Sequence, residues 1–319
     1  MRRYVVKRLA QAIGVLWAAY TVSFLVLDYL PGDPVSAMAG AGADTGQVDP
    51  AQLAALRHQY GFDKPVLVQY ADHLGRAVRG DFGDSISTGR PVTSTLADAL
   101  PQTLQLTGAA LLLAVVLGGG LAVLATYTTQ RWLRQLLLSL PPLGVSVPTF
   151  WVGLLLVESF SFRLHWFPAF GNEGLRGLIL PAVTLAIPTG ALVAQVLAKS
   201  LLTALDQAYV ETARAKGAGR WRVHLRHALR NASLPALTVV GLLVGQLIAG
   251  SVVVETVFSR DGLGRVTAAA VTAQDIPLVQ GVVVFGSLIF VLTNLIVDLV
   301  YPLLDPRIVV ASGRKAGFA

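Results

Sequence analysis

Residues 209–235, YVETARAKGAGRWRVHLRHALRNASLP, crowd together Arg214, Lys216, Arg220, Arg222, Arg226 and Arg230, with His224 and His227 among them. Such a concentration of positive charge can neutralise nucleic-acid phosphates, lie on anionic lipid headgroups or face a protein partner. Residues 202–216 place Leu202, Leu205, Tyr209, Ala213 and Lys216 at helical spacing, with Asp206 and Glu211 on other faces. Gly217 and Gly219 are then expected to break the helix, because glycine accepts the left-handed conformation that closes it. A second helix over 220–230 is expected to stripe Trp221, Leu225, Ala228 and Leu229 on one side and Arg222, Arg226 and Arg230 on another. Pro235 marks the return into an apolar segment. Nucleic acid fits poorly, because the aromatic interleaving that stacks single strands is reduced to one tryptophan. Charge alone leaves lipid and protein open.

Catalytic chemistry is hard to assemble elsewhere. The lysines follow Val6, Asp63, Ala198, Ala215 and Arg314, so no phosphate-cradling loop ending in Gly-Lys-Ser/Thr is present. No His-Glu-x-x-His pattern occurs. His58, His73, His165, His224 and His227 are all expected in loops, away from any buried serine they could activate. With no cysteine there is no thiolate nucleophile and no disulfide framework. These absences point from enzyme toward conduit, with no cofactor bound by the chain.

A conduit needs polar groups inside apolar segments, where they are costly and usually face a protein interior or a cavity. Gln246 stands mid-segment beside Gly241-x-x-x-Gly245, and Asn294 stands mid-segment further on. Glu158 and Glu255 fall near segment ends, where contact with water alone would also account for them. Together the four are candidates for a path that carries a polar solute; hydrogen bonding between helices is the competing reading. Asp298, with Asp305 and Arg307 beyond it, reads as an anchor for the terminus. Gly118-Gly119-Gly120 reads as close packing against a neighbouring helix.

The elements that must hold these residues follow from the bulk composition. The chain has 319 residues, 54% hydrophobic and 13% charged, where a soluble domain would carry about 25% charge. Six stretches approach the ~20 apolar residues that cross a hydrocarbon core: 9–30, 102–127, 137–161, 178–200, 236–257 and 278–303. Backbone amides in lipid must bond internally, so these are helices and the protein is all-α and polytopic. Pro181 and Pro188 are expected to kink the fourth span without breaking it. With both termini inside, the cytoplasmic segments hold 16 of the 25 lysines and arginines, and the short loops decide that N-in, C-in orientation. Net charge +7 and pI near 9.9 then reflect retention on the cytoplasmic side. The start, MRRYVVKRL, resembles a signal peptide with Ala37-Met38-Ala39 as a cleavage site. The apolar run exceeds the roughly 7–15 residues of a signal core, so it is read as an uncleaved first span. Residues 31–101 form the only sizeable external loop. Asp49 and Pro50 start a short helix there that Gly61 ends, and GDFGDSISTGRP is turn chemistry. That region is too small for an independent core and is expected to lie on the membrane face or on a partner.

The quoted loop resembles the cytoplasmic loop of ABC-transporter importer permeases, in the dipeptide/oligopeptide/nickel branch. Its acidic residue, small residues and glycine are here Glu211, Thr212, Ala213 and Gly217. RRYVVKRLAQAIGVL…PGDP, QYADHLGRAVRGDFGDS, GRPV…LPQTLQL, VVVETVFSRDGLG and NLIVDLVYPLLDPRI also fall in the branch's order, so the resemblance covers nearly the whole chain. It implies a type I importer permease fold, multi-pass in a bacterial cytoplasmic membrane. Residues 1–30 would be the cytoplasmic tip and first span, 31–101 the external region, 102–303 the permease core and 304–319 the tail. It further implies that loop 201–235 docks on a separate ATP-hydrolysing subunit through Tyr209, Glu211, Thr212, Ala213, Ala215 and Gly217. A homologous second permease, two ATP-binding subunits using ATP and magnesium, and an external solute-binding protein would complete the transporter, with no nucleic acid. The solute would be a di- or oligopeptide, or alternatively nickel, a metal chelate or another small solute. A stand-alone secondary transporter is the rival class; it would need midplane acids for a coupling ion, and the midplane polar groups here are neutral. Gln195 and Lys199 replace the branch's arginine-rich stretch, Thr212 stands for alanine, and the distance from Gly217 to Pro235 exceeds that of the general motif.

Overall fold

A computed structural model describes residues 2–28, 64–172 and 174–304. The expected helix at 50–61, His58, the alanines at 37–39, the side chain of Asp298 and the tail beyond residue 304 lie outside the described residues. Among those described, the architecture is helical, and Asp84 and Pro91 form only an isolated bridge. In chain order the elements are α1 (Arg2–Asp28), α2 (Val66–Ala77), α3 (Val92–Tyr127), α4 (Arg131–Ser146) and α5 (Thr149–Arg163). They continue with α6 (Arg176–Leu205), α7 (Ala208–Ala215), α8 (Arg220–Val257), α9 (Leu263–Thr272) and α10 (Ile276–Leu304).

Among the described residues, five helices are long and apolar enough to cross a membrane: Arg8–Leu27 of α1, α3, α6, α8 and Ile276–Leu295 of α10. The third expected span, 137–161, is not continuous. Helices α4 and α5 pass the same test only as a pair and meet at 102°. The cause is local: a residue before proline is pushed out of the helical region, and Val147, preceding Pro148, sits at φ −86°, ψ 128°. Pro148 then opens α5. By contrast α6 runs unbroken through Pro181 and Pro188, as expected. The second span starts earlier than expected, at Val92. The fifth is the far end of α8, which runs for 38 residues from Arg220 and carries Pro235 inside it rather than at a break.

The chain divides into two compact units. The first comprises residues 1–102 and 261–291. In it, Tyr20 and Phe24 of α1 pack against Tyr70 of α2 with ring centroids 5.8 and 5.4 Å apart, and Thr21 hydrogen-bonds the Tyr70 hydroxyl at 2.8 Å. Its apolar core joins Val92, Leu96 and Ala99 to Leu263, Ala270 and Leu278. The second unit comprises residues 103–260 and, among the described residues, 292–304. Helix α6 is its hub: 67% of its most apolar stretch is buried, against 17–28% for the other long helices. One cluster joins Leu106 and Ala110 to Leu180, Leu185, Leu247 and Val254. A second joins Ala122 to Leu197, Leu201, Ala228 and Ala232. The glycine run in α3 does what its spacing suggests, since a side chain at Gly118 would collide with the Gly190 carbonyl of α6. Small residues let two backbones approach where helices cross.

Candidate functional site

The basic loop begins where α6 stops at Leu205. Gln207 is extended at φ −83°, ψ 148°, so α7 is a separate helix and not the continuation expected across 202–216. Its anchor is Val210, fully buried; Tyr209, placed on the apolar stripe by spacing, is 38% exposed. The break at Asp206 and Gln207 rotates α7 relative to α6, which is why the stripe does not carry through. Glu211 lies in the first turn of α7, where the helix dipole favours an acid. It is exposed and makes no ion pair among the described residues. Thr212 and Ala215 are exposed as well, and Ala213 is half-buried.

Gly217 closes α7. Its φ is +81°, its N–H donates to Arg214 O at 2.9 Å, and the Ala218 N–H donates to Ala213 O at 3.1 Å. This pair of bonds is the Schellman ending, which satisfies the last carbonyls and asks for a left-handed residue. Its two chain neighbours aside, no other residue comes within 4 Å of a Cβ built at Gly217. Gly219, expected to share the left-handed role, is extended at φ −64°, ψ 155° and leads into α8.

The start of α8 departs from regular α geometry. Val223–Ala228 form a π turn, which shifts the helical phase. The buried face is therefore Val223, His224, Ala228 and Ala232, while Trp221, expected on the apolar stripe, is 58% exposed. His224 is not in a loop. It is buried, with Nε2 3.0 Å from the Thr126 hydroxyl of α3. Arg222, Arg226 and Arg230 are exposed, as the charge pattern requires.

The four pathway candidates are not equivalent. Glu158 is exposed in the π segment of α5 and pairs with Arg163 at 3.1 Å. Gln246 is exposed on α8 and Asn294 half-buried on α10. Glu255, for which contact with water was one account, is fully buried, and its Oε1 accepts from Thr103 at 2.7 Å. Five residues further on, Arg260 is buried and donates to Gly177 O at 2.9 Å.

Reading the sequence missed one further polar node in the first unit. Asp275 is fully buried; one carboxylate oxygen accepts from Ser85 Oγ at 2.6 Å, Ser87 Oγ at 2.8 Å and Ser87 N at 3.0 Å. The other oxygen accepts from the Leu278 N–H at 3.2 Å and so caps α10. Burial works against the charge, but the bonds from Ser85 and Ser87 outweigh it and hold the carboxyl below its usual range. An aspartate followed by Ile-Pro at a helix start is a readable cap signal.

Among the described residues, five long apolar helices with a charged helix-turn-helix between two of them define a multi-pass membrane protein. Residues 99–310 match the family of binding-protein-dependent transport system inner membrane components, and residues 1–107 match the N-terminal part of such components. The chain belongs to this family, and so is an inner-membrane permease component of an ABC importer. It is 38% identical over 316 residues to a putative peptide transport system permease protein of Brucella suis, covering 97% of this chain and 99% of that one. It is 37% identical over 308 residues to the glutathione transport system permease protein GsiC of Escherichia coli K12, with the same coverages. Among solved structures it resembles the inward-facing MetNI methionine ABC transporter, with TM-score 0.57 and 17% identity over 66% of this chain and 96% of that one. An amino acid ABC transporter gives TM-score 0.51 and 19% identity over 67% and 94%. At these identities the structures speak for the fold.

Proposed function

We propose that this subunit forms half of the translocation path of an ATP-driven importer for di- or oligopeptides or related small solutes, and that it makes and breaks no bond itself. The observation that carries the solute class is end-to-end similarity to relatives named for peptide and glutathione transport. That also favours peptides over nickel or a metal chelate. The importer is completed by a homologous second permease, two ATP-binding subunits that use ATP and magnesium, and an external solute-binding protein. The chain crosses the bilayer six times, with α4 and α5 together as one bent span and both termini inside.

Loop 201–235 is the docking segment for the ATPase. Two features support this reading. Val210 anchors α7 from below while Tyr209, Glu211, Thr212 and Ala215 stay exposed. The open space around Gly217 would let a partner surface approach the backbone. Glu211, lacking an ion-pair partner among the described residues, would meet an arginine there. Glu158, Gln246 and Asn294 contribute to the path, and Glu255 positions α8 against α3, a role its burial and its bond from Thr103 support.

The test is the complete transporter in proteoliposomes, assayed with radiolabelled dialanine and glutathione. ATP-dependent uptake of either supports the solute class; uptake of nickel chelates alone refutes it. Gly217→Arg should insert normally but lose the ATPase subunit on purification. Full ATPase retention in that variant would overturn the docking assignment.

A further inference from the structure

The start of α8 grips the end of α3 at two points. Helix α3 finishes at Tyr127, and the last carbonyls of any helix lack intrahelical donors. The Arg220 guanidinium donates to the Tyr127 carbonyl and lies 4.5 Å from the centroid of its ring. Arginine at the negative end of a helix is favoured by the dipole, and over an aromatic face by the ring quadrupole. Trp221 and His224 both meet the Tyr127 ring edge-on, with centroids 5.5 Å away.

The second point is one turn further on. Thr126 Oγ1 lies 2.8 Å from Ala122 O, so its single proton is directed to that carbonyl. With the proton on that carbonyl, its lone pair accepts from His224 in the tautomer that carries its proton at Nε2. Both groups are buried, where an unpaired polar atom is costly. The π turn is what makes the bond reachable. By widening the helix at Val223–Ala228 it brings two consecutive residues, Val223 and His224, onto the buried side.

We infer that His224 is a positioning residue for transport: through its bond to Thr126, a displacement of loop 201–235 is passed to α3. The inference rests on the reading of that loop as the ATPase-docking segment. Arg220 on Tyr127 holds the ends together laterally, and His224 fixes their rotation.

The chain contains no cysteine, so one reporter can be placed cleanly. Leu124→Cys puts a thiol on an exposed position of α3, 60% accessible and three residues before the helix ends at Tyr127, where a thiol can meet water and ionise. Its maleimide labelling rate is measured in the whole transporter in nanodiscs, with and without ATP and vanadate. The inference expects an ATP-dependent change in rate that is lost in His224→Ala and in Thr126→Val, which keeps the shape of threonine without its acceptor. His224→Gln and Thr126→Ser, which retain a donor and an acceptor, should restore it to within about twofold, since a bond remade in place recovers most of its worth. The double variant His224→Ala/Thr126→Val should be no worse than either single one, because both remove one interaction. ATPase retention on purification should match wild type in all of these. An ATP-insensitive wild type, an unaltered response in Thr126→Val, failure of His224→Gln to restore it, or loss of the ATPase subunit would each overturn the inference. Failure of the docking reading is separate, because it shows as full ATPase retention in Gly217→Arg.

Discussion

Replacing Gly118 by alanine should destabilise the second unit, while the same change at Gly120, one position past Gly119, should not. The Gly118 Cβ would collide with Gly190 O and lie 2.9 Å from its carbonyl carbon and 3.0 Å from its Cα. These are backbone atoms inside α6, so no rotamer change relieves the clash. Gly190 is itself tight, since a Cβ built there would be 3.1 Å from Ala114 O. The helices must therefore part by about an ångström at the crossing, and close-packed interiors transmit such a shift. Overpacking of this kind costs about 1–3 kcal/mol, partly offset by about 1 kcal/mol of helix propensity gained on replacing glycine. At Gly120 nothing lies within 4 Å, so only the propensity gain remains. The midpoint of thermal aggregation of the detergent-solubilised complex, read by size-exclusion chromatography, should fall for Gly118→Ala by a few degrees, at roughly 2–4 °C per kcal/mol. It should hold or rise for Gly120→Ala. A midpoint for Gly118→Ala at or above that of Gly120→Ala would refute the argument.

Two further predictions concern groups outside the spans. Because the Asp275 carboxyl is held below its usual range, its contribution is complete above an unfolded pKa of about 3.9 and fades as pH falls through the lower folded value. Proteolytic protection of residues 78–91 should thus persist at pH 5 and weaken below pH about 4; Asp275→Asn should flatten that profile, and an unchanged profile would count against it. Gly217→Ala should cost about 1 kcal/mol through its left-handed φ alone, whereas Gly219→Ala, at an extended φ, should be neutral by the same thermal assay.

Much of this was legible because bilayer physics leaves few options. Apolar length located the first, fourth and sixth spans within a few residues, whereas α3 and α8 begin well before the stretches expected at 102–127 and 236–257. Gly118 and Gly217 were readable because each meets a need that only glycine fills. The misreadings have one origin: helical periodicity was carried across places where the backbone changes phase. Val147 leaves the helical region before Pro148, Asp206 and Gln207 rotate α7 away from α6, and the π turn at Val223–Ala228 moves the buried face off Trp221. A π turn has no residue signature comparable to glycine at a left-handed position. His224 lay inside the helix expected over 220–230, but regular α spacing kept it off the apolar stripe, so its burial and its bond to Thr126 could not be seen. Asp275 left a signal in Asp-Ile-Pro, although its partners Ser85 and Ser87 are far away in sequence.

The unbroken course of α8 makes residue number as constrained as residue type. Each residue turns an α-helix by about 100°. A single insertion between Ala228 and Gln246 would swing Gln246 to another side and carry Glu255 out of reach of Thr103, while leaving the composition almost unaltered. The angular phase between the grip on α3 and the polar side chains deep in the same helix is thus set by counting along one rod. A π turn is the one local geometry that takes in an extra residue without ending the helix, and here it sits within the loop, ahead of the span.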